Sequence, residues 1–295
     1  MAVARARTLG RSRVIESPFG AIEYADEGSG PAVLVVHGSG GGFDQALAIS
    51  APLPRRLFRV IAPSRFGYLM SSMPNAASPE MQADALAWLM RALGIERAVV
   101  LGGSAGALCA VQLALRHPAL CRGLVLAVPA LFAPGWAPGP RADEAPMLWS
   151  LIRATAGSDF LFWAAMRLAP GFMTRKVLAT HPAVLRQAPL HEAARARKVL
   201  FHMLPVSARK KGMLMDIAMA VDPPPFDIGE IECPMLVIAT KDDLYGTAVP
   251  AIHAASRARD ARLVLYDDGG HLWVGHDAAL WGTVTEFVQA LSSRS

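Results

Sequence analysis

The stretch Val99-Val-Leu-Gly-Gly-Ser-Ala-Gly-Ala-Leu108 constrains the fold more than any other part of this chain. Val99 to Leu101 is a short apolar run with the character of a buried strand, and the Ala-rich segment from Ala107 to Leu115 has that of a helix. Between them lies Gly102-Gly-Ser-Ala-Gly106, a G-x-S-x-G turn in the strand, turn and helix context that gives the motif its meaning. So sharp a reversal crowds the residues on either side of the serine, and only hydrogen side chains fit there. Ser104 is therefore the candidate nucleophile.

The rest of the chain supplies a setting for such a turn. Arg13 to Glu16 and Ala21 to Tyr24 are expected to form a hairpin around Ser17-Pro-Phe-Gly20. Ala32 to Val36 is a continuous apolar run suited to a strand covered on both faces, Leu57 to Ala62 reads as the next strand, and Gly123 to Val128 as a further buried strand. Ser78-Pro79 starts a helix with an N-cap hydroxyl and a proline at the first helical position; Leu86, Leu89 and Leu93 follow at helical spacing, and Gly94 stops it. Strands and helices in alternation predict a mostly parallel sheet with helices on both faces.

The alternation breaks between Phe132 and Phe226, where helical stretches at Met147 to Ala156, Asp159 to Leu168 and His191 to Leu204 are punctuated by prolines. Residues 132–226 are therefore expected to be an inserted helical lid, with 1–131 and 227–295 forming the core. The sheet resumes with Met235 to Ala239 and ends with Arg262 to Tyr266, and Asp277 to Leu291 closes the chain as a helix.

Ligands of open α/β sheets bind beyond the carboxyl ends of the strands. Three loops at such ends carry complementary polar residues: Ser104, then Thr240-Lys-Asp-Asp-Leu244, then Asp267-Asp-Gly-Gly-His-Leu272. A serine hydroxyl needs a base, and the base needs an acid that fixes its tautomer. On these ordered motifs, from about Val14 to Leu291, the sequence resembles the α/β-hydrolase superfamily, particularly its lid-bearing esterase and carbon-carbon hydrolase branches. The resemblance implies Ser104 as nucleophile, His271 as general base and one of Asp242 and Asp243 as the orienting acid. The family's usual spacing favours Asp243, and Asp242 stays open. His37-Gly-Ser39 resembles the family's oxyanion segment, which implies the backbone N–H groups of Ser39 and Ala105 as donors, with His37 as a structural residue that fixes its loop. The chain departs from the family at Pro63-Ser-Arg-Phe-Gly67, where relatives often carry an aspartate at the position of Ser64.

Composition narrows the function. Net charge is +5, and Arg5, Arg7, Arg11 and Arg13 account for four of those charges, so the body is nearly neutral and gives nucleic acid little to bind. The basic, acid-poor start also resembles an organelle transit peptide, but a solvated tail is favoured. The longest apolar run, Leu124 to Phe132, contains Pro129 and is too short to span a bilayer, and no apolar segment follows the arginines as a secretory signal would require. Cys109, Cys121 and Cys233 are odd in number and read as buried free thiols of a cytoplasmic protein. The remaining histidines lack metal-ligand spacing, and the chemistry implied needs neither metal nor cofactor.

The lid's Trp136, Trp149, Trp163, Phe160, Phe162, Phe172 and seven methionines from Met147 to Met219 favour an apolar wall around a small-molecule substrate. Arg209-Lys-Lys211 is expected to be a solvated charge run. The expected activity is cleavage of an ester or a related acyl or carbon-carbon bond. A cofactor-free perhydrolase or haloperoxidase and a non-catalytic small-molecule binder are the alternatives. Homo-oligomerisation is left open.

Overall fold

The computed structural model describes residues 10–136 and 157–293. β1 (Arg13–Ser17) and β2 (Gly20–Glu27) form the expected hairpin, and β2 pairs antiparallel with β4 (Arg59–Pro63). β3 (Ala32–Val36), β4, β5 (Ala98–Gly103), β6 (Cys121–Ala127), β7 (Met235–Thr240) and β8 (Ala261–Tyr266) are mutually parallel, in the sheet order β1-β2-β4-β3-β5-β6-β7-β8. β5 lies near the middle, so the Ser104 turn at its carboxyl end opens over the centre of the sheet.

Each face of the sheet buries one apolar layer. On one side α2 (Pro79–Ala92), α3 (Gly106–Arg116) and α9 (Ala248–Arg257) pack through Leu86, Leu89, Leu113 and Ala251 onto Leu34, Val100 and Leu124. On the other, α1 (Phe43–Ile49) and α10 (Asp277–Ser292) pack through Phe43, Trp281 and Val284 onto Val33, Val35 and Val125. Strands covered on both faces lack polar alternation, which is why these runs read as continuous hydrophobic segments. Ser78 caps α2 as expected, its hydroxyl accepting from the Met81 amide at 3.2 Å. β4 starts at Arg59 rather than Leu57, because the amides of Leu57 and Phe58 both turn back to the Pro54 carbonyl. α1 carries no side-chain cap at Gly42 and gives no start signal in the sequence.

Between β6 and β7 run α4 (Asp159–Leu168), α5 (Pro170–Lys176), α6 (Pro182–Gln187), α7 (Leu190–His202) and α8 (Lys210–Val221). Prolines occupy the first position of α5 and α6, where a missing N–H costs nothing. Met173, Leu178, Leu200, Met203 and Leu204 gather into a core that also takes in Leu272 and Val274, so the helical insertion is packed directly onto the loop that carries His271. The helix expected at Met147 to Ala156, with Trp149, lies outside the described residues.

Two expectations about the insertion need correction. Arg209 is fully buried, not solvated, because Asp44 of α1 supplies a bidentate partner. The aromatic wall is also displaced: Phe160, Trp163 and Phe172 are exposed, while Phe162 packs within the insertion.

Candidate active site

The turn after β5 shows why its glycines are required. A Cβ at Gly102 would stand 2.7 Å from that of Ala110, and one at Gly106 would stand 2.5 Å and 2.6 Å from the carbonyl oxygens of His37 and Val36. Neither backbone oxygen can swing aside as a flexible side chain would, so α3 can approach β3 only through a glycine. Ser104 itself has φ +49°, a left-handed conformation that non-glycine residues seldom adopt. Its amide is tied to the Ala127 carbonyl at 2.9 Å and its carbonyl accepts from the Ala130 amide at 3.1 Å. Val128 (φ +44°) and Trp273 (φ +43°) are held in the same region. All three line one cavity, the pattern of strain expected at a functional site.

Ser104, His271 and Asp243 meet although they are far apart in the chain. Ser104 Oγ is 3.0 Å from His271 Nε2, and His271 Nδ1 is 2.8 Å from Asp243 Oδ2. Asp243 also accepts from the Tyr245 amide at 2.9 Å and from the Thr247 hydroxyl. Burial pushes its carboxyl upward, but His271 and these hydrogen bonds outweigh that and leave it below the usual carboxylate range. Asp242 does something different: it accepts the amides of Gly270 at 2.7 Å and Gly269 at 3.3 Å. With Thr240, whose hydroxyl donates to the Gly270 carbonyl at 2.8 Å, it shapes the histidine loop from outside.

The glycine-rich loop after β3 lies against the turn, Gly38 being so close that a Cβ there would stand 3.1 Å from that of Ser104. The backbone N–H groups of Ser39 and Ala105 have no acceptor among the described residues. His37 Nε2 accepts from the Arg65 amide at 3.0 Å, so its Nδ1 carries the proton and donates to the Gly38 carbonyl at 2.7 Å. Burial, reinforced by Arg65, holds His37 well below the usual histidine pKa, which keeps it neutral. Both ring nitrogens are thus committed to the loop. Ser64, where relatives often carry an aspartate, donates to Glu23 Oε2 at 2.9 Å, so β2 supplies the carboxylate that position lacks.

Above Ser104 lies a cavity of about 350 Å³ bounded by both parts of the molecule. Val177, Leu178, Val199, Met203, Met213 and Ile217 form its wall from the insertion, so methionines and aliphatic residues do the work that the aromatics were expected to do. Three polar contributors have no motif in the sequence. Gln45 is buried yet borders the cavity, and Lys176 stands at its exposed edge. Tyr245 sets its ring edge-on to His271 at 5.1 Å and donates its hydroxyl to the Lys176 carbonyl at 3.1 Å; burial raises that phenol to about 12. Only the helical period of α1 relative to the cavity could have singled out Gln45, and that helix carries no start signal. His276 stacks on Tyr266 and pairs with Asp268 at 2.8 Å on the surface, away from Ser104. Among the described residues no group of three or more His, Cys, Asp or Glu is arranged to hold a metal ion, and no helix is long and apolar enough to cross a membrane.

Comparison with known proteins agrees with this architecture. The family model for the alpha/beta hydrolase fold matches residues 31–274, and the chain belongs to that family. An uncharacterized protein of Mycobacterium tuberculosis is 38% identical over 100 residues, 34% of this chain and 29% of the relative. A 2-hydroxymuconate semialdehyde hydrolase from Pseudomonas sp. strain CF600 is 35% identical over 105 residues, 34% of this chain and 37% of the relative. The chain thus aligns with about a third of the length of these curated relatives. Among solved structures, an alpha/beta hydrolase fold protein from Nakamurella multipartita superposes with a TM-score of 0.73 at 24% identity, covering 95% of this chain and 99% of the other, a likeness of fold.

Proposed function

We propose that the protein is a serine hydrolase that cleaves a carboxylic ester, or a related acyl or carbon-carbon bond, of a small and largely apolar substrate. The observation that carries this reading is the continuous relay from Ser104 Oγ to His271 (3.0 Å) to Asp243 (2.8 Å) at the floor of the cavity. Ser104 Oγ attacks the substrate carbonyl carbon while His271 Nε2 takes its proton and Asp243 holds the ring in the tautomer that can do so. The negative charge on the carbonyl oxygen is received by the N–H groups of Ser39 and Ala105 at the start of α3, where the helix dipole also favours an anion. His271 then protonates the departing alkoxide, leaving an acyl-enzyme. A water molecule deprotonated by His271 releases the acid and restores Ser104.

The insertion, residues 132–226, acts in this reading as a lid whose apolar wall sets substrate size. The volume falls at the small end of ligand pockets, and its lining favours an apolar acyl or alcohol group. The relative named as a 2-hydroxymuconate semialdehyde hydrolase favours a second substrate class, a vinylogous diketone cleaved at carbon-carbon, with a carbanion in place of the alkoxide. The free cysteines, two of them buried, suit a reducing, cytoplasmic setting.

The test is a panel of short p-nitrophenyl esters, thioesters and vinylogous diketones assayed with the parent and with Ser104→Ala. Loss of at least about 10³-fold in the variant is expected, and turnover of every substrate at the parent rate would end the proposal. Faster turnover with added peroxide would identify a perhydrolase. Labelling of Ser104 by a fluorophosphonate with no turnover of any substrate would identify a binder.

A further inference from the structure

A buried polar network links the insertion to the loop 37–41, yet none of its insertion residues reaches the cavity's reacting atoms. Asp216 of α8 takes a bidentate ion pair from Arg65, with Nη1 at 2.7 Å and Nη2 at 2.5 Å, and also accepts from the Tyr68 hydroxyl. Those two partners hold the loop. Arg65 Nε donates to the His37 carbonyl at 2.9 Å, the Arg65 amide donates to His37 Nε2, and the Tyr68 oxygen accepts from the Gly40 amide at 3.2 Å. Arg209, immediately before α8, makes a second connection: its Nη1 donates to the Gly41 carbonyl and its guanidinium clasps Asp44 at 2.9 Å and 3.1 Å. Arg65, Asp216 and Arg209 are each less than 3% exposed. Backbone contacts run alongside, from the Leu69 amide to the Ala208 carbonyl at 2.7 Å and from the Gly212 amide to the Gly67 carbonyl at 3.1 Å. Gly212 has no room for a side chain, since a Cβ there would stand 2.1 Å from the Tyr68 ring.

Burying charged groups so completely costs free energy that apolar residues of the same size would not. A helix that only covered a cavity would have no use for them. Beyond the pairs they make with one another, the network's hydrogen bonds continue to His37, Gly40 and Gly41, which flank the Ser39 amide on both sides.

We infer that Asp216 and Arg209 are positioning residues: through Arg65, Tyr68 and Gly41 they fix the path of the loop 37–41, so the helical insertion is needed to assemble the anion-binding loop and not only to cover the substrate. The loop's glycines give it no stiffness of its own, and a donor displaced by about 1 Å is enough to cost on the order of 10²-fold in rate. The inference rests on the proposed role of the Ser39 amide for its kinetic consequence, but not for its structural one.

The experiment therefore reads both in the 295-residue chain. Amide hydrogen exchange of the peptide spanning residues 37–43 and steady-state ester hydrolysis are measured for Asp216→Asn, Tyr68→Phe, Arg209→Met and Arg209→Lys. Tyr68→Phe removes the hydroxyl's bonds to Gly40, Asp216 and Ser39 and keeps the ring on Gly212, so it serves if Asp216→Asn fails to fold. Exchange in 37–43 is expected to accelerate at least about tenfold with β5 and α3 unchanged. In the same variants kcat should fall about 10²-fold while KM shifts less than about threefold, and Arg209→Lys should recover part of what Arg209→Met loses. Parent-like exchange in 37–43, or exchange that accelerates equally throughout the core, overturns the inference. A rise in KM that accounts for the whole kinetic loss overturns it as well, assigning the network to substrate binding. Accelerated loop exchange together with an active Ser104→Ala protein would leave the structural link standing and sink the serine mechanism, so the two failures are distinguishable.

Discussion

Replacing Asp243 by asparagine should cost far more than replacing its neighbour Asp242, and the hydrogen-bond pattern sets both magnitudes. Asp243 Oδ1 accepts from the Tyr245 amide, whereas Oδ2 accepts from His271 Nδ1 and the Thr247 hydroxyl. In Asp243→Asn the carboxamide oxygen must stay opposite the Tyr245 N–H, since turning the NH2 towards it would leave two buried donors facing each other at about 1–3 kcal/mol. The NH2 therefore faces His271 and accepts nothing. The imidazole answers by moving its proton to Nε2, where it points at Ser104 and can no longer take the serine proton. A tautomer trapped in this way lowers kcat by about 10⁴-fold in serine hydrolases with the same relay, or roughly 5 kcal/mol of barrier. KM should be unchanged, because no cavity-facing atom differs. In Asp242→Asn one oxygen still accepts the Gly270 amide and only the longer 3.3 Å contact to Gly269 is lost, so a fall of less than about tenfold is expected. Initial rates on a p-nitrophenyl ester, with far-UV circular dichroism to verify folding, decide the matter. A loss of 10³-fold or more in Asp242→Asn beside a nearly active Asp243→Asn would refute the reasoning.

Other perturbations follow from the same contacts. Gly106→Ala should destabilise the protein by about 3 kcal/mol in urea titration, since both obstructing atoms are backbone carbonyl oxygens, whereas Gly282→Ala in α10, with open space around it, should add roughly 0.5–1 kcal/mol. Ser64→Asp, which restores the acid that relatives often carry, should destabilise at pH 7 by about 2 kcal/mol because it sets a second carboxylate against buried Glu23; adding Glu23→Gln should recover most of the loss. His37, held below its unfolded pKa, binds its proton more readily when unfolded, so its stabilisation is complete above about pH 6.5 and declines as pH falls from there towards the folded value. Asp243 is depressed too, so its contribution is present above about pH 4 and disappears only in stronger acid. Thermal unfolding midpoints across pH 3–8 should therefore begin to fall below about pH 6.5 and fall more steeply below about pH 4.

What the sequence discloses and what it conceals divide along a physical line. Runs such as Val33 to Val36 and Met235 to Ala239 are legible because a strand covered on both faces must be apolar at every position, whatever covers it. The loops bearing Ser104, Asp243 and His271 are legible because parallel strands deliver their carboxyl ends to one edge, so residues far apart in sequence converge without further instruction. Side chains whose meaning depends on a partner are not legible in this way. Arg209 begins a run of three cations and has the outward form of a solvated patch; Asp44, 165 residues away in the chain and on a helix with no start signal, makes it the most deeply buried charge among the described residues of the insertion. Ser64 reads as a lost carboxylate until Glu23 is found 2.9 Å from it on β2. The aromatics of α4 show the converse: apolar character marks what can be buried, while the side of the helix that faces the cavity decides what is, and there Met203 and Met213 stand where Trp163 and Phe172 were expected. The proposed reaction type is accordingly written in loops that the sheet brings together by itself. In the proposed reading substrate choice depends on how the insertion docks, and the Asp216, Arg65 and Arg209 contacts, which join the apolar packing on Leu272 and Val274 in that docking, are displayed by no local pattern. Exchanging the cavity wall without preserving those three residues would change the loop 37–41 along with the pocket, so in the proposed reading specificity is best altered at Val199 and Ile217, which touch the cavity and take no part in the network, and not at Met203, whose side chain lies against Gly40.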